Sequence, residues 1–199
     1  AMGWESLKMP GRNVQPDLMS FLSELGYASW PDIVGNNELF KERGNPILPA
    51  AVTTRNLEKQ LAQAFKLTEF DKAFPDLQKY CLEEQRLHGI ANKRMIEAAR
   101  SKPTISGYCI HALTDGDSIL GAAILDLWRH PKTLAYEMTK QANQQQIVSL
   151  RVLPRNLYAG QKAEVVVTGI NELAPTESTM TVRIESAEGI GLLDETFVE

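Results

Sequence analysis

"LMSFLSELGYASWP", residues 18–31, is the stretch that decides how the chain is read. A short apolar run meets one acid, Glu24, then a glycine and an aromatic-proline turn. An apolar run bounded by turn formers predicts a strand over Leu18–Leu25, buried on both faces as in a parallel sheet. The following stretch to about Ala51 is rich in Pro, Gly and Asn. It is too long for a plain connection and is expected to be a functional loop.

Helical periodicity then takes over. Thr53 or Thr54 can cap a helix with Leu57, Leu61, Ala64 and Phe65 on one face. A longer helix is predicted from about Asp76 to Arg100. Its apolar stripe is Leu77, Tyr80, Cys81, Leu87, Ala91, Met95 and Ala98, with Glu83, Arg86, Lys93 and Arg94 marking a solvated face. Pro103 ends it, and "ISGYCIHALTDGD", residues 105–117, reads as a second buried strand running into an acidic, glycine-bearing loop. Strand, helical layer and strand make a parallel crossover. A loop containing "ILDLWRHPK" leads to a last amphipathic helix over 132–143.

The pattern changes near Gln146. "IVSLRVLP", "KAEVVVTGIN" and "STMTVRIES" are β-branched or alternating segments, as in antiparallel β structure. The fold class is therefore α/β over residues 1–145 followed by all-β over 146–199. Three or four strands fall short of the roughly seven of a complete sandwich.

Hydrophobic content of 43%, charged content of 23% and a net charge of -4 argue against disorder and against a polyanion-binding surface, so nucleic acid is not an expected partner. No apolar run approaches the roughly 18–20 residues that cross a bilayer, so no membrane partner is expected, and the opening "AMGWESLKMPG" lacks a signal-peptide pattern. Cys81 and Cys109 form neither a CxxC pair nor a metal-ligand cluster with the three histidines. They are expected to be buried thiols, with no metal and no cofactor, and they leave the compartment open. His88 reads as a helix-surface residue and His130 as a loop residue. Asp115 and Asp117 in "TDGDS" lack the closing Glu of a calcium loop, which leaves turn stabilisation.

In an α/β barrel the residues just past the carboxyl ends of the strands build the active site, and both Glu24 and Asp115 hold such positions. "FLSELGYASWP" resembles the Ser-Glu-(Tyr/Phe)-Gly-Tyr segment of glycoside hydrolase family 2, which includes β-galactosidases, β-glucuronidases and β-mannosidases; "GYASWP" is most similar to the last. The resemblance implies that the segment ends barrel strand seven and that Glu24 is the catalytic nucleophile. "SGYCIHALTDGD" is similar to the family's eighth strand. Gly107, Leu113 and Asp115 fit that pattern, whereas His111 stands where the family usually has tryptophan. The domain succession also follows the family: the C-terminal part of a (β/α)8 TIM barrel, then a partial immunoglobulin-like β-sandwich.

Retaining glycoside cleavage uses two carboxyl groups about 5–5.5 Å apart, one attacking the anomeric carbon and one protonating the leaving oxygen. The family's acid/base is the Glu of an Asn-Glu pair on the N-terminal side of the nucleophile, so it is expected outside this chain. Asn37-Glu38 and Asn171-Glu172 both follow Glu24 and read as solvated loop or turn acids. The resemblance implies a fragment of an exo-acting β-glycosidase whose partner is a carbohydrate, a terminal β-glycoside. Alone, the fragment is expected to be inactive, and its uncovered barrel faces leave homo-oligomerisation open.

Other readings stand beside this one. Without the resemblance, Glu24 is a strand-end acid or a helix-cap partner. Tyr27 and Trp30 are sugar platforms or loop anchors. His111 is a core or supporting histidine, or a substrate donor. The chain as a whole can also be a non-catalytic carbohydrate-binding or scaffold protein. A free-standing α/β hydrolase finds no G-x-S-x-G motif.

Overall fold

The computed structural model describes residues 19–116, 120–174, 177 and 179–198. Leu18 and Asp117, named above, lie outside them. The first strand, β1 (Ser20–Leu25), pairs in parallel with β2 (Ile105–Ile110), with Leu22 opposite Tyr108 and Leu25 opposite Ile110. Three helices lie between them in sequence: α1 (Ile33–Glu42), α2 (Pro49–Leu67) and α3 (Leu77–Arg100). The crossover expected from the sequence is therefore present.

The expected burial on both faces of β1 is not. Leu25 is buried, but Phe21 is 58% exposed. The reason is that β1 has β2 as its one strand partner among the described residues, while α3 and α4 (Ala135–Ala142) cover one face. There Leu25, Ile96, Ala99 and Ala142 form a core with Leu22, Met95, Tyr108 and Ile110 against it. On the strand pair itself, the Phe21 ring lies across Gly107, where an added Cβ would come within 2.8 Å of it.

The stretch expected to be a loop up to Ala51 contains α1 instead. Asp32 caps that helix by accepting from the Gly35 N–H at 2.9 Å, and it also accepts from Gln78 Nε2 at 2.9 Å. Two hydrogen bonds and burial of Ile33 and Phe40 outweigh the weak helix preference of Gly35-Asn36-Asn37. The next helix starts earlier than Thr53, with Pro49 in its first turn, a position that has no need of the missing N–H. Thr54 donates its hydroxyl to Ala50 O instead of capping. Leu61 and Phe65 are buried, Ala64 exposed.

In α3 the start and end agree with the sequence reading, with Asp76 capping the helix by accepting from the Lys79 N–H at 2.7 Å, but the buried face differs. Leu87 is 43% exposed, whereas Gln85, His88 and Asn92 are buried. His88 is thus not a surface residue. Gly89 lets α4 approach closely, since a Cβ there would lie 2.6 Å from Leu134 O. Of the two thiols, Cys81 is buried beside Ile33 and Leu61, where burial pushes it up to about 12, and Cys109 is exposed.

All described strands after α4 are antiparallel. β3 (Gln146–Leu153) pairs with β4 (Glu164–Asn171), and β5 (Thr179–Glu185) with β6 (Gly191–Val198), as two separate two-stranded sheets. Arg100 ties the two halves of the sequence together. Its guanidinium donates to Ala142 O at 2.5 Å, Gln144 O at 2.8 Å and Glu172 Oε1 at 2.8 Å.

Candidate active site

Because β1 and β2 run in parallel, their carboxyl ends open on the same side. Glu24 is exposed, one residue before the end of β1. The His111 N–H, just past β2, donates to Leu25 O at 3.0 Å, so the two strand ends are joined directly behind Glu24. His111 is exposed, and its peptide bond to Ala112 is cis. Gly26 passes so close to it that a Cβ would meet His111 O at 2.7 Å. This close approach is what the glycine after Glu24-Leu25 permits.

The segment carrying Tyr27 and Trp30 is fixed by α3. The Tyr27 N–H donates to Asn92 Oδ1 at 2.8 Å. Ser29 Oγ lies 3.2 Å from His88 Nδ1, and Gln85 Nε2 donates to Trp30 O at 3.5 Å. The Tyr27 ring meets His88 edge-on, with centroids 6.5 Å apart. Tyr27 is half-buried and Trp30 is 37% exposed, so both combine an anchored backbone with an accessible side chain.

His88 is fully buried, and its Nε2 has no hydrogen-bond partner among the described residues. A buried unpaired donor is harder to tolerate than a buried unpaired acceptor. The proton therefore belongs on Nδ1, where it is donated to Ser29 Oγ. Burial, and next the Lys132 charge, lower the histidine to about 4, keeping it neutral.

Asp115 organises the loop after β2 from the inside. Its Oδ1 accepts from the Gly121 and Ala123 N–H groups at 3.0 and 3.2 Å. Its Oδ2 lies 2.7 Å from Lys132 Nζ, both side chains being out of solvent. This contact is charge against charge and departs from good hydrogen-bond direction. Burial lowers the Lys132 pKa against the opposing pull of Asp115. Gly121 also accepts the Ser29 N–H at 3.1 Å, with a φ of 88° and no room for a Cβ, which would fall 1.9 Å from Ser29 O. The chain Asp115–Gly121–Ser29–His88 thus binds the loop after β2 to the segment after β1.

The candidate residues fall into two sets. Glu24, Tyr27, Trp30 and His111 lie at or just beyond the carboxyl ends of the parallel pair, while Asp115 is turned inward as a loop anchor. Glu38 lies on α1, not in a loop, and its side chain is exposed and paired with Lys41 at 2.6 Å. Glu172 pairs with Arg100. Sequence reading missed Gln85, His88 and Asn92. Their signal was spacing: with Gln78 they recur at steps of seven, three and four, which is one helix face. A further residue it passed over is Trp128, whose indole donates to Asn36 Oδ1 at 2.9 Å and is covered by the Arg43 guanidinium at 4.4 Å.

No family model and no curated protein matches the chain. Among solved structures it is similar to the crystal structure of a β-D-mannosidase from Dictyoglomus thermophilum, with a TM-score of 0.50 at 18% identity. The match covers 89% of this chain and 22% of that one, so the chain spans under a quarter of the enzyme's length. At this identity the likeness concerns the fold alone: mixed helices and small sheets arranged as in part of a glycoside hydrolase.

Proposed function

We propose that the chain is the C-terminal part of the catalytic barrel (1–145) and the start of an immunoglobulin-like sandwich (146–199) of a retaining exo-acting β-glycosidase of family 2. The observation that carries this reading is the exposed Glu24 at the carboxyl end of β1, beside the end of its parallel neighbour β2. In this reading Glu24 attacks the anomeric carbon of a terminal β-linked sugar. An acid/base from outside these residues protonates the departing oxygen and then activates water to release the sugar. Tyr27 and Trp30 offer aromatic faces to the apolar side of the pyranose, and the exposed His111 offers a ring nitrogen to a hydroxyl. Asp115 supports the site through its loop instead of touching the sugar.

The test is chemical rescue in the full-length protein. Glu24→Ala abolishes turnover of an aryl β-glycoside, and added azide restores it by attacking the vacated face, releasing the α-glycosyl azide. Turnover by Glu24→Ala at the unmutated rate contradicts the proposal. His111, standing where the family usually has tryptophan, permits the second reading, a non-catalytic carbohydrate-binding protein. That reading predicts glycan binding with no turnover by the unmutated protein.

A further inference from the structure

We propose that Asn92, with His88 and Gln85 beside it, is a positioning residue for sugar binding, setting the segment Tyr27–Trp30 in register beside Glu24. The proposal rests on the glycosidase reading above. Three buried polar side chains on one face of α3 address three residues of one short segment in antiparallel order: Asn92 to Tyr27, His88 to Ser29, Gln85 to Trp30.

Helix packing does not require these groups. A buried polar group is tolerated where its hydrogen bonds are met, and apolar residues would fill the same space without that condition. Here the bonds are met largely by the segment. The remaining capacity of Asn92 goes to Thr139 Oγ1 on α4 at 3.4 Å, and that of Gln85 to the Thr133 N–H at 3.1 Å. The helix therefore links the segment to the chain around α4. From the opposite side Gly121 O holds the Ser29 N–H. Because Tyr27 N–H and Trp30 O are main-chain groups, holding them fixes the points from which both aromatic rings project, while the rings stay accessible.

The experiment measures kcat and KM of the full-length protein on an aryl β-glycoside, alongside its melting temperature. Asn92→Leu removes the acceptor for Tyr27, and loss of one such bond corresponds to a rise in KM of about five- to tenfold, with kcat changed by less than about twofold. Cys81→Ala, buried on the same helix but packed against Ile33 and Leu61, is the stability control: its melting temperature falls and its KM does not move. Should Asn92→Leu fail to fold, Ser29→Ala, which deletes one hydroxyl, is read instead, with a rise in KM of about threefold expected. An unchanged KM, or an equal change in Cys81→Ala, overturns the positioning role and leaves the glycosidase reading intact. If the unmutated protein turns over no glycoside, the glycosidase reading fails, and the positioning role falls with it.

Discussion

Replacing Asp115 by alanine tests how the loop after β2 is held. The carboxylate supports Gly121 and Ala123 N–H groups and faces Lys132 at 2.7 Å, with both charged side chains excluded from water. Removing one member of a buried ion pair leaves the other charged and uncompensated, which costs about 3–5 kcal/mol. For a domain of this size that corresponds to a fall in melting temperature of about 6–20 °C. Lys132→Met costs less, because Asp115 then keeps its two backbone donors. The double variant Asp115→Ala/Lys132→Met removes the stranded ammonium, so it is more stable than the sum of the singles by about 2 kcal/mol. Urea unfolding monitored by circular dichroism reads all three differences. A loss below about 1 kcal/mol in Asp115→Ala, or strict additivity in the double variant, refutes the buried-pair argument.

Two further predictions concern His88, beside the site, and Arg100, at the join between α4 and β3. His88 has an unfolded value of 6.5 and a folded value lowered to about 4, so the unfolded chain takes up the proton first as pH falls. The stability of the neutral ring is complete above about pH 6.5 and is lost on the way to pH 4, by on the order of 3 kcal/mol. His88→Gln lacks that component, and the difference between the two pH–stability curves measures it; parallel curves contradict the assignment. Arg100→Ala removes charged donors from Ala142 O and Gln144 O and is expected to destabilise the join between α4 and β3 by about 2–3 kcal/mol. Glu172→Gln, at an exposed carboxylate, changes stability by less than about 1 kcal/mol, and thermal melts with limited proteolysis near Gln144 distinguish them.

How far the sequence could be read depended on the kind of signal. The apolar run ending at Leu25, the helical periodicity between Asp76 and Arg100 and the β-branched run Val165–Val167 carry their structure locally, and β1, α3 and β4 appear where they imply. The helix α1 was hidden because Gly35, Asn36 and Asn37 locally disfavour it; what stabilises it is distant, Gln78 on Asp32 and Trp128 on Asn36. The strand β6 was passed over because "GLLDETFV" mixes acids with apolar residues and gains its form from pairing with β5. The placement of Glu24, Tyr27, Trp30 and His111 at or just past the strand ends was legible from the apolar runs that hold or precede them. The polar face of α3 was not, because burial of His88 and Asn92 depends on where the Tyr27–Trp30 segment lies, which no local pattern states.

The central claim is that Glu24 is a nucleophile. Its most direct measurement is incubation of the full-length protein with 2-deoxy-2-fluoro β-glycosides carrying good leaving groups, followed by mass mapping of the labelled peptide. The account predicts a covalent sugar on Glu24, with the reactive glycoside revealing the substrate. Rapid turnover of glycosides with a label on another carboxylate, or glycan binding with no label at all, contradicts it.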